Sequence, residues 1–468
     1  MFLDKINTFS DRNFIQSDVE GKFSYGELKE WAAYFGEVMG GRSLVFCLSD
    51  NSLGSIAGYM AFMASRNVPL LLDVGIDLHL LEKLLALYRP QFLWRPQGHL
   101  AVGLDAPIIL KLGGYELVEF ESEPVDLHPD LGLLLSTSGS TGSPKLVRLS
   151  YQNIESNARS ISHYLNLSLD ERPITSLPSH YSYGLSVINS HFYVGATLLA
   201  TNASVMQREF WDFARQERAT SIAGVPYTYE ILRRLRFFSM DLPDLRTLTQ
   251  AGGHLQPESA KEFLSYAKNQ RKSFVVMYGQ TEATARMGYL NLTMNEDKLG
   301  SIGMPIPGGK FQLFQDNGLE IVESGRTGNL IYSGPNVSLG YAEGREDLSL
   351  ADEREGVLDT GDLAYRDEAG FYYINGRKNR FVKVYGNRLS LDEIETLARM
   401  VCDECACLGG EDLIRIFMIR DDLQVAMRTH LAEKTGLNQR AFKVEIIPVM
   451  PRNSAGKIQY GILRGVIK

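Results

Sequence analysis

A loop dense in hydroxyl groups and glycine follows an apolar run within residues 133–150, LLLSTSGSTGSPKLVRLS. Glycine lets backbone N–H groups approach an anion, hydroxyls add donors, and a lysine adds a positive charge. These residue types close together predict a loop that binds the polyphosphate of a nucleotide. The candidate binding residues are Thr137, Ser138, Gly139, Ser140, Thr141, Gly142 and Lys145.

A Walker-type P-loop, GxxxxGK[ST], is the nearest alternative for this loop. Gly139 and Lys145 have the required spacing, but Pro144 replaces the second glycine and Leu146 replaces the magnesium-binding Ser or Thr. A plain surface turn rich in Gly and Ser is the other alternative. The density of hydroxyls beside a lysine argues against a plain surface turn. Motifs elsewhere in the chain are needed to identify the kind of phosphate loop.

Composition excludes several classes of function. The net charge of −8 over 468 residues gives no basic surface for nucleic acid. The N-terminus lacks a signal-peptide pattern, and no apolar stretch is long enough to span a membrane. Four cysteines fit a reducing compartment, so we expect a cytoplasmic protein. The run Cys402, Cys405 and Cys407 lacks a fourth ligand at zinc spacing, so no metal site is predicted there.

Helical and strand patterns alternate along most of the chain before residue 300. Such alternation predicts a parallel sheet covered by helices. Short β-like runs with Gly and Pro between them then predict an appended barrel or sheet. The predicted helices cover 25–39, 54–65, 78–88 and 391–400, and the predicted strands include 43–48, 68–72, 92–94, 274–277, 311–314, 329–333, 356–359 and 370–374.

The fold class expected from this pattern is α/β. A large N-terminal domain, residues 1–377, combines helix-covered, mostly parallel sheets with a β-barrel-like part at about 300–377. A small mobile α+β domain follows at 378–468. The length is sufficient for two or three domains.

Two further segments carry ligand chemistry. Tyr278, Gly279, Thr281 and Glu282 follow an apolar strand, where a hydroxyl and a carboxylate suit a ligand site in an open α/β sheet. Their hard oxygens suit Mg²⁺ beside phosphates. Asp362, in Asp-Thr-Gly-Asp, is suited to accept hydrogen bonds from ribose hydroxyls, although a β-turn is the plain alternative.

These segments, together with Gly376-Arg377 and the PRNSAGKI run around Lys457, resemble motifs of the adenylate-forming superfamily. That superfamily contains acyl- and aryl-CoA ligases, peptide-synthetase adenylation domains and firefly luciferase. Five segments occur in the order typical of the superfamily, and residues 23–33 resemble its opening helix. The chain is therefore identified as a member from its sequence.

The resemblance implies a role for each matching residue. Tyr278 and Gly279 bind ATP, with Tyr278 against the adenine, and Thr281 contacts the α-phosphate. Glu282 holds Mg²⁺. The ribose residues are Asp362 and Arg377, the catalytic lysine is Lys457, and the hinge is Asn379, where the superfamily usually has Asp or Lys.

The resemblance also implies two half-reactions. A carboxylate attacks ATP and forms an acyl-adenylate and pyrophosphate. The C-terminal domain then rotates about Asn379, withdraws Lys457 and brings the face at residues 383–388 to the site. A thiol of coenzyme A or of a carrier protein's phosphopantetheine next attacks the activated carbonyl.

Residues 176–196 resemble the superfamily's acyl-pocket helix. Ser182 stands where amino-acid activators carry an aspartate, and a buried ammonium without a counter-charge is costly. Tyr181 stands where many acyl- and aryl-CoA ligases carry a histidine. A fatty, short-chain or aryl acid is therefore expected, and Gly252 and Gly253 resemble the glycine segment between acyl pocket and adenine.

Several alternatives stay open at this point. A stand-alone amino-acid adenylating enzyme that loads a separate carrier protein is the first. A luciferase-like oxygenase shares every motif, and a nucleotide-binding regulatory protein without catalysis is the third. Since the sequence ends at Lys468, we expect the acyl acceptor to be a separate molecule.

Overall fold

The computed structural model describes residues 2–99, 106–136, 145–378, 380–385, 387–410 and 413–466. Contacts between residues divide the chain into two compact units. The first comprises Met1–Lys310 and Ser333–Leu358, and the second comprises Phe311–Tyr332 and Asp359–Lys468. The domain boundary after residue 377 stays a prediction. No helix among the described residues has both the length and the hydropathy of a membrane span.

The first 150 residues alternate strands and helices, as predicted. Local signals place the helix starts: Ser24 and Glu27 form a capping box, and Asp77 accepts from the N–H of Leu80. The helices α1 to α4 are Lys5–Thr8, Tyr25–Met39, Leu53–Ala64 and Leu78–Tyr88. The strands β1 to β9 are Asn13–Ser17, Gly21–Ser24, Leu44–Ser49, Val68–Asp73, Phe92–Pro96, Ile108–Leu112, Tyr115–Glu119, Leu131–Ser136 and Leu146–Ser150.

The alternation continues from residue 151 to residue 305. A second capping box, between Ser150 and Asn153, begins the first of these helices. The helices α5 to α9 are Tyr151–Tyr164, Ser182–Tyr193, Arg208–Gln216, Pro226–Arg234 and Pro257–Asn269. The strands β10 to β16 are Pro173–Ile174, Leu198–Ala200, Ser221–Gly224, Thr247–Gln250, Ser273–Tyr278, Gly288–Asn291 and Met304–Pro305.

From residue 310 to residue 377 the chain is mainly β-strand, as its apolar runs with Gly and Pro between them predict. The helices α10 to α12 are Leu391–Arg399, Gln424–Thr435 and Tyr460–Val466. The strands β17 to β27 are Lys310–Phe314, Glu320–Ile321, Gly328–Ser333, Gly340–Ala342, Val357–Arg366, Tyr372–Arg377, Phe381–Val384, Asn387–Ser390, Cys405–Gly410, Leu413–Met418 and Phe442–Ile446.

Two large sheets form the frame of the first unit. One runs β16-β15-β14-β13-β12-β10-β11-β1-β2, and the other runs β20-β9-β8-β4-β3-β5-β7-β6. Strands β10, β12, β13 and β14 are parallel neighbours, as are β5, β3, β4 and β8. Strand β3 is buried along its whole length, as expected of a parallel strand covered on both faces. The predicted α/β class is confirmed.

The second unit is built from smaller sheets. Five strands are ordered β18-β17-β19-β21-β22, β23 pairs with β24, and a further sheet runs β25-β26-β27. Whether the five strands are barrel-like stays a prediction. The cysteines of the CxxCxC run are buried in a hydrophobic cluster of this unit, and burial raises the pKa of the Cys405 thiol to about 12. Within the described ranges, no group of three or more His, Cys, Asp or Glu could hold a metal ion.

Candidate functional site

A sharp turn follows β14 and carries Thr281 and Glu282. One turn of 3-10 helix spans Thr281–Ala283, and the backbone then reverses through Ala285, whose φ is 148°. A Cβ atom on Gly279 would stand 1.5 Å from the carbonyl oxygen of Ala285. Only glycine fits there, because no neighbouring backbone atom can give way by so much.

The buried side chain of Asn336 holds this turn in place. Its Nδ2 donates to the carbonyl oxygens of Ala283 at 2.8 Å and Arg286 at 2.9 Å. The backbone carbonyl oxygen of Asn336 accepts from the Thr284 hydroxyl at 2.7 Å. The turn is therefore fixed by a segment more than fifty residues further along the chain.

Helix α6 meets the turn at Ser182, its first residue. The hydroxyl oxygens of Ser182 and Thr281 are 3.1 Å apart, within hydrogen-bonding distance. Ser182 is buried, and the N-terminus of a helix favours negative charge. A residue predicted to contact the acid is thus brought against a residue predicted to contact the α-phosphate.

Glu282 is oriented by a tyrosine that the sequence did not single out. The Tyr341 hydroxyl donates to Oε1 of Glu282 at 2.8 Å. Burial raises the pKa of Tyr341, and the negative charge of Glu282 raises it further. Magnesium at nucleotide sites needs only one or two carboxylates besides the substrate's phosphates. A single, partly exposed and oriented carboxylate at Glu282 fits that requirement.

Lys145 lies near Tyr341, the residue that orients Glu282. Lys145 immediately precedes β9, which pairs with β20, and its Nζ lies 2.5 Å from Oε1 of Glu343. The same Nζ is 5.7 Å from the centre of the Tyr341 ring. Strands β8 and β9 pair Ser136 with Leu146, so both flanks of the predicted phosphate loop lie side by side. Its predicted binding residues Thr137, Ser138, Gly139, Ser140, Thr141 and Gly142 lie outside the described residues.

A buried arginine fixes the register of β20 on β9. Gly340 pairs with Arg148, and its φ of 139° lies in a region open mainly to glycine. A Cβ on Gly340 would stand 2.3 Å from Oε2 of Glu353 and 2.8 Å from Nη2 of Arg148. Arg148 is held in turn by Glu353 and by the carbonyl oxygens of Leu339 and Tyr341. No side chain fits opposite Arg148 without displacing this cluster.

The predicted residues Tyr278, Gly252 and Gly253 lie at one edge of the nine-stranded sheet. Tyr278 ends β14, and the two glycines follow β13, the parallel neighbour of β14. The Gln250 side chain donates to the carbonyl oxygen of Gly253 at 2.9 Å. Open α/β sheets bind ligands at the carboxyl ends of their strands, so the predicted ATP and acyl residues share that edge.

Tyr181 begins a group of aromatic side chains beside this edge. Burial raises the pKa of Tyr181, while the positive charge of Arg286 opposes that rise. The Tyr183 hydroxyl donates to Oγ1 of Thr249 at 3.0 Å, and the Arg286 guanidinium lies 4.1 Å from the Tyr183 ring centre. Sequence reasoning missed Arg286. The available signal was one arginine in the otherwise uncharged run ATARMGYL.

In the second unit, Asp362 and Arg377 face each other. Strands β21 and β22 pair them directly, and Nε of Arg377 lies 3.2 Å from Oδ1 of Asp362. Asp362 is buried, whereas the Arg377 side chain is 62% exposed. The two predicted ribose residues are therefore neighbours. The predicted hinge residue Asn379 lies outside the described residues.

Lys457 lies in a compact turn of the second unit. Arg452 and Ile458 form an antiparallel bridge at its base. The Asn453 side chain accepts from the backbone N–H of Lys457 at 2.9 Å, and Arg452 donates to the carbonyl oxygen of Gly456 at 2.9 Å. These bonds hold the backbone at Lys457 in place.

Sequence comparison finds known relatives over much of the chain. The family described as AMP-binding enzyme matches residues 2–342. Feruloyl-CoA synthase from Amycolatopsis sp is 30% identical over 320 residues, which cover 66% of this chain and 63% of that protein. Indoleacetate–CoA ligase from Aromatoleum aromaticum is 29% identical over 302 residues, 63% of this chain and 58% of that protein. The chain thus spans less than two thirds of the length of these relatives.

Solved structures show the same fold over nearly the full length. The o-succinylbenzoate CoA synthetase from Bacillus subtilis, in complex with its acyl-adenylate intermediate, gives a TM-score of 0.80 at 20% identity. That match covers 99% of this chain and 97% of the synthetase. The anthranilate CoA ligase AuaEII gives a TM-score of 0.81 at 19% identity, covering 100% of this chain and 97% of that one. Site motifs, fold and family match agree, and the chain belongs to the AMP-binding enzyme family.

Proposed function

We propose that the chain is an AMP-forming acid–thiol ligase, which activates a carboxylic acid with ATP and transfers it to a thiol. The observation that carries this proposal is the 3.1 Å contact between the hydroxyls of Ser182 and Thr281. It joins the predicted acid pocket to the predicted α-phosphate residue, where the acid oxygen and the phosphorus must meet. The relatives described above are named CoA ligases and synthases, which supports coenzyme A as the thiol.

In the first step, a carboxylate oxygen attacks the α-phosphorus of ATP, and pyrophosphate leaves. Two anions must meet, so neutralised charge and alignment contribute more than a general base. Lys145 and the loop at 137–142 hold the leaving phosphates, and Thr281 contacts the α-phosphate. Glu282, oriented by Tyr341, holds the Mg²⁺ of the nucleotide, which neutralises phosphate charge when bound.

The second unit supplies the remaining proposed contacts. Asp362 and Arg377 bind the ribose, as Tyr278 and Gly279 bind the base. Lys457 binds the carboxylate and the α-phosphate oxygens. A rotation about Asn379 then removes Lys457, a thiol attacks the carbonyl of the acyl-adenylate, and AMP leaves. Coenzyme A is the first proposed acceptor, and phosphopantetheine on a separate carrier protein is the alternative.

An α-amino acid is a poor fit to the proposed pocket. Ser182 provides no carboxylate for an ammonium group. The buried charge that contacts Ser186 of α6 is the positive one of Arg286, whose Nε donates to the Ser186 hydroxyl at 3.1 Å. A buried ammonium without a counter-charge is costly, so a short-chain, fatty or aryl acid is favoured over the amino-acid alternative.

The test is pyrophosphate release by the full chain with ATP and Mg²⁺ over a panel of fatty, aryl, dicarboxylic and amino acids. We expect release that depends on one acid class, with acyl-CoA formed when coenzyme A is added. Glu282→Gln should abolish release, whereas Glu296→Gln, which removes an exposed carboxylate, should not. Absence of ATP-dependent release with every acid would overturn the proposal. Oxygen uptake or light after adenylation would favour the luciferase-like alternative.

A further inference from the structure

A buried carboxylate lies at the centre of a polar cluster in the second unit. Glu395, on α10, is 6% exposed. It accepts the backbone N–H of Cys407 at 2.7 Å, and the Tyr460 hydroxyl lies 2.9 Å from both of its oxygens. Nη2 of Arg380 donates to its Oε1 at 2.7 Å. A buried carboxylate is costly unless it is hydrogen-bonded and paired with a cation, and these partners, the Glu395 cluster, meet both needs.

The Glu395 cluster joins elements that are far apart in the chain. Arg380 stands one residue before β23, Cys407 lies on β25, and Tyr460 begins α12. The Arg380 guanidinium also lies 4.2 Å from the centre of the Tyr460 ring, and its Nε lies 2.8 Å from Oδ1 of Asp392. Glu395 therefore fastens both the segment that leads into β23 and the start of α12 to α10.

The Tyr460 hydroxyl is a donor in this cluster. Burial raises the pKa of Tyr460, and the negative charge of Glu395 raises it further, while the positive charge of Arg380 opposes that rise. The hydroxyl therefore keeps its proton. Hydrogen bonds to a charged acceptor are stronger than those between neutral groups, and a buried carboxylate that loses such a bond is left partly uncompensated.

The Lys457 turn, residues 452–458, ends two residues before Tyr460. An antiparallel bridge between its first and last residues closes its base. The last residue, Ile458, packs against a hydrophobic cluster of the second unit, and Tyr460 packs against the same cluster. The base of the turn is thus attached to the unit both by apolar packing and by the hydrogen bonds of Tyr460 to Glu395.

Attachment of the Lys457 turn matters for the proposed reaction. Charge stabilisation and alignment depend on the position of the amine, and a displacement of about 1 Å can cost about 100-fold in rate. The bond from the Lys457 N–H to the Asn453 side chain shapes the turn from within, whereas the Glu395 cluster connects the turn to α10.

We propose that Glu395 and Tyr460 are positioning residues for Lys457 in acyl-adenylate formation. They hold the Lys457 turn on α10, so that the amine keeps the position that the first half-reaction needs. Because Arg380 follows the proposed hinge residue Asn379 and contacts the same carboxylate, Lys457 moves with the segment after the hinge as one body. This inference rests on the proposed ligase function and on the role proposed there for Lys457.

Tyr460→Phe tests the inference, because it removes the hydroxyl and keeps the ring. We expect acyl-adenylate formation to fall by roughly 10-fold or more, mainly through kcat, since the turn loses a hydrogen bond to a charged group. Thioester formation from supplied acyl-adenylate should stay at the wild-type rate, because Lys457 is withdrawn before that step. Glu395→Gln should change the first rate in the same direction and spare the second. Tyr365→Phe, at a half-buried tyrosine of β21, is the matched control and should leave both rates unchanged.

Amide hydrogen exchange without substrates separates this inference from the ligase proposal. The Lys457 turn should exchange faster in Tyr460→Phe than in the wild-type chain, and at the wild-type rate in Tyr365→Phe. If the wild-type chain adenylates no acid, the ligase proposal fails, and exchange alone decides whether Tyr460 holds the turn. If Tyr460→Phe does not fold, Glu395→Gln replaces it in both measurements.

Two outcomes would overturn the positioning role. One is equal exchange and equal adenylation in Tyr460→Phe and the wild-type chain. The other is a parallel loss of both half-reactions together with a lower free energy of unfolding, which would show that Tyr460 is structural only.

Discussion

The Tyr341 hydroxyl donates a 2.8 Å hydrogen bond to Oε1 of Glu282 across 59 residues of chain. The carboxylate proposed to hold the metal of the nucleotide is thereby oriented by a strand far from it in sequence. Strand β20 also pairs with β9, which begins where the predicted phosphate loop ends. The same strand therefore contacts both the end of that loop and the Glu282 carboxylate.

Tyr341→Phe removes this donor and keeps the ring. A hydrogen bond to a charged group contributes about 1.5–3 kcal/mol, so we expect pyrophosphate release to fall about 10- to 100-fold. The apparent Mg²⁺ requirement should rise as well. Tyr34→Phe, at an exposed tyrosine, is the matched control. Equal activity of Tyr341→Phe and wild type across Mg²⁺ concentrations would contradict the orienting role.

Lys457→Ala should separate the two half-reactions. We expect loss of acyl-adenylate formation, because the amine is proposed to neutralise charge between the acid and the α-phosphate. Thioester formation from supplied acyl-adenylate should continue. Lys434→Ala, which alters an exposed lysine, should leave both steps intact. Parallel loss of both steps in Lys457→Ala would argue against the assignment.

Gly279→Ala should disrupt the turn that carries Thr281 and Glu282. Its Cβ would lie 1.5 Å from the carbonyl oxygen of Ala285, so the backbone must move. We expect a loss of about 2 kcal/mol or more in free energy of unfolding and loss of adenylation. Gly36→Ala in α2 meets only an ordinary contact at 3.9 Å and should be neutral or stabilising. Denaturant unfolding of both variants measures the difference, and a stable, active Gly279→Ala would refute the close approach.

The cysteines should be inert in the folded chain. Cys47, Cys402, Cys405 and Cys407 are free and buried, and burial raises the pKa of each thiol. Thiolate is the reactive form, so a thiol reagent should label all four only after denaturation. Rapid labelling of the native chain, or tight zinc binding by the CxxCxC run, would count against this expectation.

His191 should make stability depend on pH. Burial is the main reason that its pKa falls from 6.5 to about 4. Between those values the unfolded chain binds a proton that the folded chain does not, so stability increases with pH over that interval. The contribution is complete above pH 6.5, is lost as pH falls towards 4, and amounts to about 3 kcal/mol.

Urea unfolding at pH 5 and pH 7 measures this effect. His191→Gln should reduce the difference in free energy of unfolding between the two pH values. His79→Gln replaces a histidine whose side chain is 88% exposed and should leave the difference unchanged. The same difference in all three proteins would exclude His191 as its source.

Local chemistry explains what the sequence predicts well. Helices α2 and α4 have their predicted bounds because Ser24 and Asp77 cap them, and these signals lie within three residues. The motifs around Thr281 and Lys457 are likewise contiguous. The family, the α/β class and most elements follow from such short patterns.

Long-range contacts explain what the sequence does not predict. Tyr341 belongs to a three-residue strand. Its role is to orient Glu282, and no local sequence pattern connects the two residues. The sequence alone does not distinguish Arg286 from an arginine on the surface, because only the structure shows that it is buried. Strand orders such as β20 beside β9, or β1 beside β11, also depend on packing between distant segments.

Gly340 has a consequence for how the chain tolerates changes in length. A slip of one residue would turn Tyr341 to the opposite face of β20, and the space opposite Arg148 admits only glycine. The strand is therefore positioned by its own sequence, independently of the length of the connection before it. We expect a two-residue insertion in the exposed turn between Asn317 and Gly318 to be absorbed without loss of adenylation. A two-residue insertion directly before Gly340, by contrast, should disturb the pairing of β20 with β9 and reduce adenylation.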